Sequence, residues 1–382
     1  MQTDKFENIR PYNQKEVVSA MKRLIKEPDF FKVIRFILPE WSVDEIKAEA
    51  IGITSSFDFQ KVFMYKTIKK IFKKSSAGFT YSGIENLQPN EAYLFIANHR
   101  DIFLDSTIFE MVLYENKIET SQITFGSNLM TSKLLIDIGK INKMFTVNRS
   151  GNKQKMYNNS VILSEYIRDT IVNKKESIWI AQRNGRTKNG YDITQTGLLK
   201  MIDISGKKDY IENFRMLNIL PVSISYEYES CDIQKVREVY MSKDSVYVKE
   251  PDEDIKSIIS GVVENKGRIH LSFGKPISNE LNSISKIKNN NTKIKLLANE
   301  IDKQIYSNYK LWKTNYIAAD ILKNDKIYSK YYTDIEKKNF IDYMNSKLNT
   351  LKGNYEEIKK IFLEIYANPV FNSKINETKN KL

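Results

Sequence analysis

The sequence contains very little cysteine and histidine: one cysteine, Cys231, and two histidines, His99 and His270, in 382 residues. A single cysteine excludes an internal disulfide framework and a cysteine-based zinc or iron–sulfur site. Two histidines argue against a multi-histidine metal site. We therefore expect the protein to work with neither a metal ion nor a tightly bound cofactor.

Long apolar runs are absent as well. A membrane-spanning helix needs about 18 uncharged apolar residues in a row, and the sequence has no such stretch. The first residues, Met-Gln-Thr-Asp-Lys-Phe-Glu, lack the apolar core of a signal peptide. We therefore expect a cytoplasmic protein without a spanning helix, and attachment to the surface of a membrane is left open.

The composition is that of a globular protein with an excess of positive charge. Apolar residues make up 41% and charged residues 28%, which argues against wholesale disorder. Sixty Lys and Arg residues against 47 Asp and Glu residues give a formal net charge of +13. Such an excess favours an anionic partner, namely phosphate, a membrane surface, an acidic carrier protein or nucleic acid. No RNA-binding, helix-turn-helix or zinc signature is present, so nucleic acid is not expected.

Short apolar runs alternate with helical periodicity in the middle of the chain. Apolar residues recur at helical spacing over 105–115, 153–172 and 196–204, between the runs. This alternation predicts βαβ crossovers, and hence an α/β domain with a mixed, mainly parallel sheet and flanking helices over 81–280. The candidate strands are Tyr93–Ala97, Gln122–Phe125, Met144–Val147, Ser177–Ala181, Ile219–Ser225, Ser245–Val248 and Arg268–Phe273.

Helical regions are expected on both sides of this domain, over 1–80 and 281–382. In the first of them, Pro39 should end a helix, and the segment 64–74 is amphipathic with a lysine-rich face. A basic amphipathic helix lies in an anionic membrane interface or packs its apolar face on the domain with its lysines in solvent. Its apolar residues are Met64, Tyr65, Ile68, Ile71 and Phe72.

Polar side chains directly follow three of the candidate strands. His99 with two carboxylates follows the first, Arg149 follows the second, and a loop with Arg183 and Arg186 follows the third. Ligands of open α/β sheets bind beyond the carboxyl ends of the strands, so these side chains should share one crevice. An imidazole oriented by a carboxylate takes a proton from an attacking hydroxyl, and guanidinium groups bind phosphate. Since G-x-S-x-G and P-loop sequences are absent, the set predicts direct transfer onto a phosphorylated alcohol.

Five short blocks occur in order around these residues. They are Asn98-His99-Arg100 with Asp105, Phe145-Thr146-Val147-Asn148-Arg149, Ile180 to Thr187, Ile219-Leu220-Pro221-Val222 and Phe273-Gly274-Lys275-Pro276-Ile277. Together they resemble the blocks of the glycerolipid acyltransferase superfamily, which contains the glycerol-3-phosphate and 1-acylglycerol-3-phosphate acyltransferases. The resemblance covers roughly residues 85–280, about half of the chain.

The resemblance implies acyl transfer from acyl-CoA or acyl-carrier protein, as co-substrate, to a glycerol-phosphate or lysophosphatidate hydroxyl. It also implies phospholipid biosynthesis and peripheral contact with the anionic inner face of the cell membrane. By resemblance His99 is the general base and Asp105 its orienting carboxylate. The residues assigned to the acceptor are Arg149, Arg183, Asn184, Gly185 and Arg186.

The sequence departs from the family pattern in two places. Five residues separate His99 from Asp105, where the family usually has four. Three arrangements would accommodate the extra residue. A π-bulge could absorb it, or Asp101 could take the carboxylate role. In the third, Arg100 and Asp101 form a local ion pair and Asp105 still reaches His99. We favour Asp105, which better matches the end of the block. Asn184 stands where the family usually has Glu, so it lacks a charge there.

These departures keep two rival functions open. An acyltransferase with another lipid acceptor, such as an amino-lipid hydroxyl, would use the same His and Asp without every arginine. A non-catalytic module that binds lipid or a carrier protein would need a binding surface but not the catalytic His and Asp.

Overall fold

Seven strands form one mixed sheet in the structure, a computed structural model that describes residues 5–148, 150–243, 246–250 and 252–379, with backbone only from 375 onward. The strands are β1 (Gly78–Ser82), β2 (Leu94–Ala97), β3 (Gln122–Gly126), β4 (Met144–Val147), β5 (Ile178–Ala181), β6 (Ile219–Tyr226) and β7 (Arg268–Phe273). Their order across the sheet is β1-β7-β6-β2-β5-β3-β4. Strands β6 and β7 are antiparallel, and the other neighbouring pairs are parallel. The predicted fold class is confirmed.

Six candidate strands match strands of the sheet to within one residue at each end. The remaining candidate, Ser245–Val248, is wrong. Residues Val246–Val248 are irregular, with Val246 and Val248 exposed, and Ser245 lies outside the described residues. Strand β1 is missing from the prediction because it forms an edge of the sheet and most of its side chains are exposed. Without a buried face it has no apolar run or alternation to read.

The helices have the following bounds. Before the sheet lie α1 (Gln14–Leu24), α2 (Pro28–Ile37), α3 (Val43–Ile51), α4 (Ser56–Phe59) and α5 (Tyr65–Ser75), with a π-helical turn at Gln60–Met64. Between the strands lie α6 (Leu104–Glu115), α7 (Lys133–Ile141), α8 (Lys153–Arg168, followed by a π-helical turn to Asn173), α9 (Thr196–Asp203), α10 (Tyr210–Arg215), α11 (Asp232–Met241) and α12 (Glu253–Val263). After the sheet lie α13 (Asn279–Ser285), α14 (Asn290–Ser307), α15 (Lys313–Lys323), α16 (Asp334–Leu348) and α17 (Tyr355–Lys379). Helix α2 ends before Pro39 as expected, and the region boundaries near 80 and 280 stay predictions.

Both faces of the sheet are buried under helices. Leu94 and Ile96 of β2 pack against α8, α9 and α14, whereas Phe95 and Ala97 pack against α5 and α6. This explains why β2 is apolar at every position. Within the described part of the chain, each helix is too short or too polar to cross a membrane.

The amphipathic helix α5 packs on the domain. Ile68 and Ile71 are each 1% exposed and belong to the core beneath the sheet. On the polar face, Lys69 pairs with Glu115 at 3.0 Å and Lys70 with Glu40 at 2.7 Å. Of the two alternatives for this segment, the structure therefore confirms the docked helix, and its apolar face is not available to a bilayer.

A buried carboxylate in α6 makes stability depend on pH. Burial raises the pKa of Glu110 from 4.5 to about 7, although Ser121 donates hydrogen bonds to it from its amide and its hydroxyl. Because the folded-state pKa is the higher one, this contribution to stability is complete below about 4.5 and is lost as the pH rises through about 7. At about 1.4 kcal/mol per pKa unit, the loss is on the order of 3 kcal/mol.

We expect Glu110→Gln to remove most of this pH dependence, because an amide keeps partners at Ser121 but carries no charge. Urea unfolding should show a variant more stable than wild type at pH 8 and about equal to it at pH 5. Glu115→Gln at the end of the same helix is the control and should leave the pH dependence unchanged. A Glu110→Gln variant that follows the wild-type pH profile would contradict this account.

Candidate active site

The loop between β2 and α6 carries a histidine–carboxylate pair. The Nδ1 atom of His99 lies 2.9 Å from Oδ2 of Asp105, whose side chain is 2% exposed. Since the carboxylate only accepts, Nδ1 is assigned the proton and Nε2 is left as a free base. The His99 side chain retains 14% of its exposure, so the ring reaches the cavity beside it.

Three further donors fix the Asp105 carboxylate. The backbone amides of Arg100 and Asp101 donate to Oδ2 at 2.6 and 2.9 Å, and the hydroxyl of Tyr226 donates to Oδ1 at 2.8 Å. Burial, together with Asp105, raises the pKa of Tyr226 well above its usual value, so the hydroxyl stays a donor. The orientation of the imidazole is thereby set by a carboxylate that is itself held on both oxygens.

The second candidate carboxylate, Asp101, has a different place. It accepts hydrogen bonds from the amides of Phe103 and Leu104 at 2.8 and 2.7 Å and from the hydroxyl of Ser230. It therefore holds the turn that leads into α6, which begins at Leu104. The extra residue lies in the turn before α6, not in a π-bulge, and Asp105 is the carboxylate that contacts His99.

The loop after β5 brings two arginines to the same cavity. A cavity of about 350 Å³, which we call the central cavity, is lined by His99 and by Arg183, Asn184, Gly185 and Arg186. Gly185 has a φ of +72°, so the loop turns through the left-handed region that favours glycine. The amide of Thr187 donates to the carbonyl of His99 at 2.8 Å, which joins this loop to the histidine loop.

Arg186 is a buried cation that pairs with no carboxylate of the described residues. It is 6% exposed, and its Nη1 has no hydrogen-bond partner among the described residues. Arg183 likewise has an unpaired buried Nε within the described chain. Buried guanidinium groups are normally paired, so this arrangement calls for an anion in the central cavity. Arg149, the third predicted phosphate ligand, lies outside the described residues.

The comparison with protein families now decides the class. The family model described as Acyltransferase matches residues 78–225. Residues 78–225 are an acyltransferase domain. The match confirms the resemblance and includes the first four of the five sequence blocks.

Other comparisons add little to this. The chain is similar in structure to the 1-acyl-sn-glycerophosphate (LPA) acyltransferase PlsC from Thermotoga maritima, with a TM-score of 0.37 and 11% identity, over 76% of this chain and 92% of that chain. No curated protein matches the sequence.

Residues beyond the acyltransferase domain complete the wall of the central cavity. Lys188 of the domain pairs with Glu238 of α11, and Lys249 pairs with Asp254 of α12 at 2.5 Å. All four line the central cavity. Burial, followed by the charge of Arg186, lowers the pKa of Lys188 to about 8. The sequence prediction missed this wall, because α11 and α12 carry no motif that ties them to the arginine loop.

A network of buried charges lies behind the histidine loop of the acyltransferase domain. Arg100 donates to Asp192 at 2.7 Å and to Glu229 at 3.2 Å, and Lys235 donates to Glu229 at 2.6 Å. The Lys235 ammonium also donates to the carbonyl of Arg100 at 2.7 Å. Two cations and two anions therefore balance inside the protein. The sequence offered a local ion pair between Arg100 and Asp101 as one alternative, but Arg100 pairs with Asp192 and Glu229 instead. Nothing in the sequence indicates these partners.

An apolar groove of about 670 Å³ opens beside the central cavity, between the acyltransferase domain and the flanking helices. The two spaces share Phe125 and Leu129 in their walls. The other apolar side chains of the groove are Val33, Phe36 and Ile37 of α2, Leu134 and Leu135 of α7, and Ile255, Ile258, Ile259 and Val262 of α12. The groove can hold a hydrocarbon chain, and its shared walls connect it to the cavity that His99 lines.

Proposed function

We propose that the chain is an O-acyltransferase that moves a fatty acyl group from acyl-CoA or acyl-carrier protein to a hydroxyl of glycerol phosphate or lysophosphatidate. One observation carries this proposal: the His99–Asp105 pair and the guanidinium of Arg186, whose Nη1 is unpaired among the described residues, meet at one cavity of an acyltransferase domain. The pair supplies a base, and the guanidinium supplies a site for a phosphate.

In this mechanism Nε2 of His99 accepts the proton of the acceptor hydroxyl while the oxygen attacks the thioester carbonyl. The carbon–oxygen bond forms and a tetrahedral intermediate develops. Its collapse breaks the carbon–sulfur bond, and the departing thiolate takes the proton from the imidazolium. Asp105 stabilises the imidazolium and keeps the ring oriented throughout. The products are an ester and a free thiol.

The arginines orient the acceptor. A phosphate bound by Arg186 and Arg183 holds the glycerol backbone so that its free hydroxyl lies near His99. Fixing two reacting groups in this way supplies a large part of many enzymatic rate enhancements. The apolar groove next to Phe125 receives the acyl chain of the donor. Peripheral contact with an anionic membrane agrees with the net charge of +13. This contact and a role in phospholipid biosynthesis stay predictions.

The decisive experiment is an acyl-transfer assay with the purified full chain. Glycerol-3-phosphate and lysophosphatidate are each offered with palmitoyl-CoA and with palmitoyl-carrier protein, and the ester product is measured by mass spectrometry. Product from at least one pair is expected. If no phosphorylated acceptor is used and an amino-lipid hydroxyl is acylated instead, the acceptor in this proposal is wrong. If no ester forms with any acceptor, the chain is a binding module.

Arg186→Ala is expected to raise the KM for the phosphorylated acceptor about 10- to 100-fold, the range for losing hydrogen bonds to a charged group. The value of kcat should change much less, because the phosphate is bound equally before and during the chemical step. Arg186→Lys should recover part of the affinity, since a lysine keeps the charge but loses the planar fork.

Arg215→Ala provides the matched control for this experiment. Arg215 belongs to α10, pairs with Glu212 at 3.0 Å and does not line the central cavity. This variant should keep the wild-type KM. An unchanged KM in Arg186→Ala would remove Arg186 from phosphate binding.

A further inference from the structure

A second cavity opens off the central cavity, on the side away from the apolar groove. It has a volume of about 240 Å³, lies between α8 and α9, and shares Thr124, Val147 and Arg183 with the central cavity. We call it the amide cavity, because four carboxamide side chains line it: Asn148, Asn159, Asn184 and Gln195. The central cavity therefore continues into an apolar groove at one end and into an amide-lined space at the other.

A thioester donor likewise changes from apolar to polar along its length. Its fatty chain lies on one side of the reacting carbonyl, and the pantetheine arm with its two amide groups lies on the other. We propose that the amide cavity binds the pantetheine arm of the donor, so that the thioester carbonyl comes to rest beside His99. The arm is common to acyl-CoA and acyl-carrier protein. This inference rests on the proposed function for the position of the thioester.

The hydrogen-bonding groups of the cavity fit an amide ligand. Oε1 of Gln195 accepts a hydrogen bond from the backbone amide of Asn184 at 2.8 Å, which leaves the Gln195 amino group as a donor. Within the described residues, the side-chain amide of Asn184 has no partner, and Asn159 uses only its amino group, in a long contact of 3.4 Å with the carbonyl of Asn148. Donors and acceptors are thus free for the N–H and C=O groups of the arm.

The lining combines these carboxamides with seven apolar side chains, so it suits an arm that alternates amide and methylene groups better than a second hydrocarbon chain. The apolar residues are Val147, Met156, Leu163, Ile180, Ala181, Leu198 and Met201. An acyl chain of a lysophosphatidate would leave the unused amide groups of Asn184 and Gln195 without a ligand partner, whereas the arm can pair with them. Among the described residues of this lining, a phosphate or carboxylate would meet one charge, Arg183 at the junction with the central cavity. The apolar groove, by contrast, has nine aliphatic or aromatic side chains from three helices for a hydrocarbon.

Gly197 allows the cavity to be filled without a clash. It lies in the first turn of α9, lines the amide cavity, and a Cβ added there would meet no atom within 4 Å. Gly197→Leu should therefore fold normally and occupy part of the space for the arm. Gly197→Ala adds only the Cβ atom and is the matched control. Thermal unfolding of both variants shows whether the fold is kept.

The first measurement is binding of free CoA and of pantetheine to the full chain by calorimetry, which requires no turnover. We expect Gly197→Leu to weaken both at least about tenfold, or 1.4 kcal/mol, and Gly197→Ala to change them little. Equal binding of both ligands to wild type and to Gly197→Leu would overturn the assignment even if acyl transfer occurs. Weakened binding in an enzyme that transfers no acyl group would support the pantetheine site and remove the proposed function.

The second measurement compares donors with long and short arms. Palmitoyl-CoA and palmitoyl-carrier protein carry the whole arm, whereas the palmitoyl thioester of N-acetylcysteamine keeps only its last amide. Gly197→Leu should lower kcat/KM for both long donors by about tenfold more than for the short one. If only one long donor is affected, that donor is the source of the arm. If the variant instead raises only the KM for lysophosphatidate, the cavity holds the acceptor chain and the proposal is wrong.

Discussion

Replacing His99 by glutamine is expected to lower kcat for acyl transfer about a thousandfold, within the range that general-base catalysis contributes. Glutamine has a similar length and can donate to Asp105, but its amide takes no proton from the acceptor hydroxyl. The KM values for donor and acceptor should stay close to wild type, because the arginines and the cavities that bind them are unchanged. Steady-state kinetics with the best substrate pair measures both effects.

His270→Gln provides the matched control, since it changes the other histidine of the chain. The ring of His270 contacts hydroxyls of Thr80 and Ser82 at 2.7 and 3.1 Å near the edge of the sheet and does not line the central cavity. This variant should keep full activity. If His99→Gln keeps more than a tenth of the wild-type kcat while folded, the base is another group and the mechanism proposed here is wrong.

The sequence was sufficient to predict the sheet and the loops that carry the chemistry. Strands such as β2 and β5 are buried on both faces, so they appear as unbroken apolar runs that end at polar residues. The position of His99 and Arg186 at the carboxyl ends of neighbouring strands follows from the rule for open α/β sheets. Strand β1 was not predictable on this basis, because an exposed edge strand has no apolar signature.

The choice between Asp101 and Asp105 shows where reading the sequence reaches its limit. Both carboxylates lie within six residues of His99, and spacing alone leaves the backbone path between them open. The path is decided by the turn before α6: Asp101 accepts the amides of Phe103 and Leu104, and Asp105 contacts the imidazole. Such local hydrogen bonds depend on the loop conformation and leave no mark on residue periodicity.

The contacts that complete the site are also long-range. Arg100 and Asp192 are 92 positions apart, and Lys188 and Glu238 are 50 positions apart. The apolar groove combines α2 with α12 across most of the chain. One sequence gives no information about which distant segments meet, so these partners appear only in the folded structure.

Loss of Asp192 should have a large effect on stability. Asp192 is fully buried and accepts hydrogen bonds from Arg100, Asn98, Thr187 and Tyr309. Burial raises the pKa of Asp192, but the charge of Arg100 and these hydrogen bonds bring that pKa below its usual value. The group is therefore an anion. Asp192→Asn leaves Arg100 and Lys235 facing only Glu229. We expect it to destabilise the fold by about 3–5 kcal/mol, the usual effect of an uncompensated buried charge.

The reciprocal change distinguishes charge balance from the loss of individual hydrogen bonds. Lys235→Met leaves an excess buried anion and should also destabilise the fold by about 3–5 kcal/mol. The double variant, Asp192→Asn with Lys235→Met, again contains one cation, Arg100, and one anion, Glu229, which are 3.2 Å apart. The loss in its free energy of unfolding, measured in urea, should therefore be smaller than the sum of the two single losses by at least about 1 kcal/mol. Strictly additive losses would show that Asp192 and Lys235 act through separate hydrogen bonds. Non-additivity would instead mean that the buried charges behind the His99 loop stabilise the fold as one unit.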